Sequence, residues 1–266
     1  MASKPKLAVW KFSSCDGCQL SLLDLEDELL AIADSVEIAY FLEATRAEVK
    51  GPYDVSLVEG SVTTPEDLKR IQKVRRQSRY LVTIGACATS GGIQALKNGR
   101  DVKGFIDAVY ANPAFIDTLD TSTPIAAHVD VDFELRGCPI DRHQLLTLLI
   151  DLVQGRGPRV QRNTACFECK LAGTVCVMVA KGEPCMGPVT QEGCGNLCPG
   201  FARGCYGCFG PAAQSNPAAL ADHWLAEGVE AKWVAHRFAG FNAAAPAFAK
   251  QINRLTGESL GPEDDK

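Results

Sequence analysis

Twelve cysteines in 266 residues are the side chains of this sequence best equipped for chemistry. Three pairs stand at Cys-x-x-Cys spacing: Cys15–Cys18, Cys166–Cys169 and Cys205–Cys208. The stretch Gly182 to Cys208 holds five cysteines in 27 residues, with glycine or proline at nearly every turn. Backbone this irregular cannot satisfy its own N–H and C=O groups in a ladder, so something else must fix it. Thiolates wrapped around inorganic clusters would do so. A [4Fe–4S] cube takes four thiolates, one per iron, and twelve divides into three such sets. Cys15, Cys18, Cys87 and Cys138 form the first. The other eight are Cys166, Cys169, Cys176, Cys185, Cys194, Cys198, Cys205 and Cys208. Two cubes use all eight and leave none over.

Competing readings exist for each part. Zinc takes tetrahedral thiolate as readily as iron does, and ribbon-like zinc sites carry spacings like those after Cys166. The first set is less zinc-like, because its ligands come from three separate strand ends. A thioredoxin-like motif fits Cys15–Cys18 but leaves Cys87 and Cys138 unexplained. Buried inert thiol explains any one cysteine, such as Cys87 or Cys176, and explains twelve poorly. His128, His143, His223 and His236 read as ordinary core or surface histidines. Glu59 admits two roles: accepting N–H bonds from a neighbouring loop, or tuning a cluster or holding a partner's loop. Lys170 and Arg203 read as surface cations, with raising cluster potentials or guiding docking as the alternative.

The elements that must position these residues follow from hydrophobic periodicity. Strands are expected at Lys6–Phe12, Val36–Leu42, Val55–Val58, Tyr80–Ile84 and Pro124–Val129. Leu22, Leu25, Leu29 and Ile32 recur at helical spacing, so one helix is expected over Gln19–Ala33. Thr64-Pro65-Glu66-Asp67 starts another, with an N-cap, a proline at N1 and acids in the first turn. The basic residues Lys69, Arg70, Lys73, Arg75 and Arg76 form its solvated face. Asp141 caps an apolar helix over Arg142–Val153, which Gly155-Arg156-Gly157-Pro158 ends. Strands alternating with helices imply an α/β protein with a doubly wound parallel sheet. Ligands of such sheets sit outside the carboxyl ends of the strands. Cys15 and Cys18, Glu59, Cys87 and Cys138 each follow a different strand, so scattered cysteines converge on one edge.

The Gly/Pro cluster divides the chain into residues 1–157 and 158–266. Little regular structure is legible in the second part before Asn216-Pro217, which opens a helix to about Glu227. One more helix is expected at Ala247–Leu255, ahead of an acidic, frayed end at Glu263-Asp264-Asp265. Hydrophobic residues make up 46% and charged ones 22%, the balance of a soluble globular chain. A net charge of −5 without a basic run argues against nucleic acid as the main partner. No apolar run approaches the roughly 20 residues of a membrane span. The N-terminus carries no leader pattern, so a cytoplasmic protein is expected. In that reducing compartment paired cysteines usually mean metal rather than disulfide.

Taken together, Cys15-x-x-Cys18, Val58-Glu59-Gly60-Ser61, Gly85-Ala86-Cys87-Ala88 with Gly91-Gly92, Gly137-Cys138-Pro139 and Cys185-Met-Gly-Pro-Val-Thr resemble the small subunit of nickel–iron hydrogenases. The match runs from about Lys6 to Phe209. The resemblance implies a flavodoxin-like N-terminal domain and a second, irregular iron–sulfur domain. It implies a proximal cluster on Cys15, Cys18, Cys87 and Cys138, and a distal one on Cys166, Cys169, Cys176 and Cys185. The medial one would take Cys194, Cys198, Cys205 and Cys208. The nickel–iron centre belongs to a separate large subunit, so this chain would be an oxidoreductase subunit that relays electrons. Many members have histidine where this chain has Cys166 and proline where it has Cys198, so three [4Fe–4S] clusters are expected. The pattern is most similar to the cytoplasmic, bidirectional branch, whose partners include iron–sulfur and flavin subunits working on NAD(P). Two alternatives are a deazaflavin or heterodisulfide reductase partner, and a zinc-stabilised adaptor without a redox role. A related complex I subunit carries adjacent cysteines instead of Cys15-Asp16-Gly17-Cys18 and lacks the second cluster domain.

Overall fold

Three apolar, β-branched runs, Leu7–Trp10, Val55–Val58 and Leu81–Ile84, form strands buried on both faces, as central parallel strands require. The computed structural model describes residues 4–160 and 162–257. Its first part runs β1 (Lys6–Lys11), α1 (Gly17–Leu23), α2 (Asp27–Ser35), β2 (Glu37–Phe41), β3 (Tyr53–Glu59), α3 (Pro65–Gln77), β4 (Ser78–Ile84), α4 (Gly85–Ser90), α5 (Val102–Val109), β5 (Phe133–Leu135) and α6 (Arg142–Val153). The strands form one parallel sheet in the order β2-β1-β3-β4-β5, a flavodoxin-like order. Side chains alternate between two cores. Leu7, Val9, Val55 and Leu57 meet α1, α2 and α6 through Leu22, Ile32, Leu145 and Leu148. Ala8, Trp10 and Val58 face the other way, onto Ile71 and Val74 of α3.

The second part runs α7 (Ala165–Leu171), α8 (Val177–Lys181), α9 (Leu197–Gly200), α10 (Pro217–Ala226), α11 (Ala231–Phe238) and α12 (Pro246–Thr256). Trp224, Phe238 and Phe248, one from each of the last three helices, build a third core with Met186 and Val189. Cys185 and Cys205 are part of it.

Three expectations are corrected. Pro124–Val129 is not a strand: Ile125–Ala127 form a 3-10 turn that buries Ile125 completely. The sheet edge is Phe133–Leu135 instead. Asp132 starts it, its carboxylate accepting from Leu81 N at 2.7 Å and Arg75 Nη1 at 2.6 Å. The helix over Gln19–Ala33 is two helices, broken at Glu26 with φ +48°. The break turns Leu25 into the core, and Arg142 Nη1 takes the freed Asp24 carbonyl at 2.8 Å. The second part holds α7, α8, α9 and α11, all short helices that sequence periodicity did not resolve. The acidic end at Glu263–Asp265 lies outside the described residues. The caps agree: Thr64 Oγ1 accepts from Asp67 N, and Asp141 Oδ1 from Gln144 N.

The turn out of α6 is held by a buried charge. Asp151 has no exposed surface, and its carboxylate accepts from Arg159 N at 3.1 Å, Nε at 2.9 Å and Nη2 at 2.6 Å. Arg159 holds that carboxyl below the usual aspartate range, against the opposing effect of burial. A depressed folded pKa contributes stability above the ordinary aspartate value of 3.8 and loses it as the pH falls through the folded value. Arg159→Ala leaves the carboxylate only the main-chain N–H at position 159 and Arg156 Nε, 3.6 Å away, so it should lower the Tm at neutral pH, with the gap from wild type narrowing in acid. Melting curves across pH check this, and a gap that stays constant with pH would contradict it.

Candidate metal centre

Parallel pairing puts Lys11, Glu59, Ile84 and Leu135 in one row across the sheet. The cysteines follow that row. Cys15 lies in the loop after β1 and Cys18 in the first turn of α1. Cys87 lies in α4, immediately after β4, and Cys138 three residues after β5. The thiols of Cys87 and Cys138 both act on Cys18, and that of Cys15 acts on both of them. The four expected residues are therefore neighbours. Gly85, with φ +85°, makes this possible, because a Cβ there would overlap the Cys18 sulfur. Glu59 is buried beneath the group; Oε1 accepts from Cys18 N at 3.1 Å and Oε2 from Gln19 Nε2 at 2.9 Å. Burial raises its carboxyl pKa, and the two N–H donors oppose the rise.

Two further groups form in the second part. Cys166 and Cys169 ride on α7, Cys176 caps α8, and Cys185 precedes the 3-10 turn Gly187–Val189. Cys169 feels the thiols of Cys166, Cys176 and Cys185. The sulfurs of Cys166 and Cys185 each lie 3.3 Å from where a Gly187 Cβ would stand. Cys208 feels Cys194 and Cys198, and Cys205 feels Cys208. The groups also lie close to one another. Cys208 feels Cys138 of the first, and Cys205 feels Cys185 of the second. Cys205 N donates to the Cys185 sulfur at 3.1 Å. The group containing Cys205 and Cys208 thus stands between the other two. Cys15 and Cys176 are exposed at the two ends, whereas Cys205 is buried and Cys194, Cys198 and Cys208 are half-buried.

The donor sets fit iron–sulfur clusters. Each group offers four thiols, as a cube requires, and N–H donors already aim at sulfur: Gly187 N at Cys185 and Gly207 N at Cys205, both 3.4 Å. Burial pushes the Cys138 and Cys169 thiols up to about 11 and the Cys205 and Cys208 thiols up to about 12; Cys18 is raised further. Such thiols are protonated at neutral pH, so a metal must displace their protons and supply compensating charge. Among the described residues, no three His, Cys, Asp or Glu side chains close around a single metal ion.

Sequence reasoning missed the supporting residues. Glu168, inside the Cys166–Cys169 pair, accepts from Gly193 N at 2.9 Å, Gly195 N at 3.0 Å and Asn196 N at 3.3 Å. It ties the second group to the loop of the third; an acid between paired cysteines was the available signal. Gln94 donates to the Ser13 carbonyl at 2.7 Å, with its amide 3.6 Å from the Cys87 sulfur. The histidines stay apart from the groups. His128 pairs with Thr123 Oγ1 at 2.7 Å, and His143, His223 and His236 are exposed. Lys170 and Arg203 are exposed as well. No helix among the described residues is long and apolar enough to cross a membrane.

Comparison with known proteins gives a concordant picture. The family model of the NADH ubiquinone oxidoreductase 20 kDa subunit matches residues 15–152. The sulfhydrogenase 2 delta subunit of Pyrococcus furiosus is 39% identical over 212 residues, spanning 79% of this chain and 88% of its own length. A subunit of the vhu F420-non-reducing hydrogenase of Methanococcus voltae is 28% identical over 273 residues, spanning 91% and 95%. Among solved structures, an NAD+-reducing [NiFe]-hydrogenase in the H2-reduced state superposes with a TM-score of 0.55 at 30% identity. It covers 59% of this chain and 96% of its own.

Replacing Glu168 by alanine leaves three backbone N–H groups without their acceptor, at a cost of about 1–3 kcal/mol. Glu168→Ala should lower the Tm and expose the chain near Gly193–Asn196 to limited proteolysis, with Glu168→Gln intermediate. Equal protease resistance in all three proteins would contradict the role assigned to this carboxylate.

Proposed function

Because the chain belongs to the NADH ubiquinone oxidoreductase 20 kDa subunit family, among its hydrogenase small subunits, we propose that it is an electron relay. It would connect a nickel–iron large subunit to a soluble acceptor subunit in the cytoplasm. The observation that carries this reading is the row of three four-thiol groups, adjoining at Cys138/Cys208 and at Cys185/Cys205. Each group would hold one [4Fe–4S] cluster, which when bound supplies a one-electron redox centre. Cys15, Cys18, Cys87 and Cys138 hold the proximal one. Cys194, Cys198, Cys205 and Cys208 hold the medial one, and Cys166, Cys169, Cys176 and Cys185 the distal one.

The chain's own residues do three things for such a relay. Thiolates from separate elements fix the spacing of the sites, so that electrons need no moving part. The middle set, with Cys205 buried and the other three half-buried, limits the contact of the path's centre with water. The Cys205 N–H on the Cys185 sulfur places a hydrogen bond between medial and distal ligands, in the class of contact that sets cluster potentials. The end bearing Cys15 faces the large subunit, and the end bearing Cys176 faces the acceptor subunit. We take residues 1–157 as the proximal domain and 158–266 as the domain of the other two clusters.

For the acceptor, a flavin subunit working on NAD(P) is one reading. The coverage favours a second. The NAD+-reducing structure accounts for 59% of this chain, whereas the sulfhydrogenase and F420-non-reducing relatives span 79% and 91%. The part without a counterpart in the NAD+-reducing enzyme is where a different soluble acceptor would dock. Mass identification of the subunits that co-purify under anaerobic conditions separates the two.

Three cubes amount to about twelve irons and twelve sulfides per chain. Near-zero iron with zinc in its place would overturn the relay in favour of an adaptor. Gly85→Ala drives a methyl into the Cys18 sulfur and should remove about four irons by displacing one cube. In EPR spectra, Cys198→Ser should perturb the medial signal, and a change confined to the proximal signal would refute the grouping.

A further inference from the structure

We propose that Arg136 is a positioning residue for electron transfer, a half-buried cation set between the proximal and medial clusters that raises their reduction potentials. This rests on the cluster reading above. Arg136 lies two residues before Cys138, and its side chain is 19% exposed. Nη2 bonds Glu134 Oε2 at 2.6 Å. Nη1 is buried and has no hydrogen-bond partner. A buried guanidinium donor without an acceptor is unusual enough to require a reason, and its location supplies one.

Nη1 points at the medial loop. A Cβ on Gly210 would stand 3.0 Å from Arg136 Nη1 and 2.9 Å from Asn242 Oδ1. Gly210 follows Cys208 by two residues, just as Arg136 precedes Cys138 by two. Asn242 is buried and anchors the medial loop, its Nδ2 donating to the Gly207 carbonyl at 2.9 Å and the Cys208 carbonyl at 3.3 Å. Its Oδ1 is unpartnered too. Where Cys138 and Cys208 come together, a positive group therefore faces a neutral amide across a glycine's bare side.

The electrostatics follow from this placement. Reduction adds negative charge to a cluster, and a nearby cation in a weakly screened environment stabilises the reduced form. Glu134 opposes it, with its carboxylate 2.6 Å from Nη2. The pair therefore works as an offset: Nη1 of the cation faces the medial loop, while the anion holds Nη2. Glu134, Arg136 and Arg162 line one surface groove, with the Arg162 guanidinium 4.7 Å over the Phe133 ring.

Opposite signs at the two members of the pair distinguish tuning from mere support. Redox titrations of the anaerobically purified complex, followed by EPR, read the midpoint potentials of the individual clusters. Arg136→Gln should move the proximal and medial midpoints to more negative values and leave the distal one in place. Glu134→Gln, which frees the cation of its counter-charge, should move them to more positive values. Arg136→Lys should retain the wild-type midpoints. Should Arg136→Gln fail to assemble, Glu134→Gln and Arg136→Lys still decide the matter. Unmoved midpoints, or shifts of the same sign in Arg136→Gln and Glu134→Gln, would overturn the proposal. Wild-type protein without cluster signals would instead overturn the relay itself.

Discussion

A parallel sheet is obliged to send the carboxyl ends of all its strands to one side, and the rest of this molecule depends on that obligation. Lys11, Glu59, Ile84 and Leu135 come into line because the register of the strands leaves them no alternative. Loops separated by more than a hundred residues of chain then begin at the same level. The segments leaving the strand ends are short and glycine-rich, so thiols can approach without side chains intervening. Glu59 shows how closely sheet and site are joined: it is the last residue of β3 and also the acceptor for Cys18 N and Gln19 Nε2.

The second part reaches a comparable result without a sheet. Its short helices are each too brief to be stable alone, and they are held by contacts across the cysteine loops. Glu168 gathers three backbone N–H groups, and Asn242 holds two carbonyls of the Cys205–Cys208 loop. The aromatic core of Trp224, Phe238 and Phe248 backs the assembly, with Cys185 and Cys205 inside the same cluster of buried residues. Fold and site are thus not separable here. The sulfurs that offer ligation also serve as packing.

Most of the first part was legible in the sequence because its signals are local. Apolar runs of strand length, the Thr64 and Asp141 caps and the Gly155–Pro158 stop each act within a few residues. The edge strand was not legible. Pro124–Val129 is more apolar than Phe133–Leu135, and only the tertiary position of Asp132, bonded to Leu81 and Arg75, decides which pairs. The break at Glu26 was hidden for the same reason, since an unbroken leucine spacing carries no sign of the bend that buries Leu25. All twelve cysteines were legible as a composition. Spacing alone left open which cysteines neighbour which; Glu168 showed only as an acid between paired cysteines, and Gln94 and Asn242 were invisible because their partners are backbone groups of distant loops.

The three sets of cysteines do not interleave along the chain: each is complete before the next begins. Their order in space differs from this, because the set finished last in sequence is the one in the middle. During synthesis the two outer sets therefore emerge first, and the central one arrives between neighbours whose residues are already available. The C-terminal helices come later still and supply the aromatic wall behind it. The innermost position is accordingly the last of the three to be completed, which makes the timing of helix docking a matter of maturation as well as of folding.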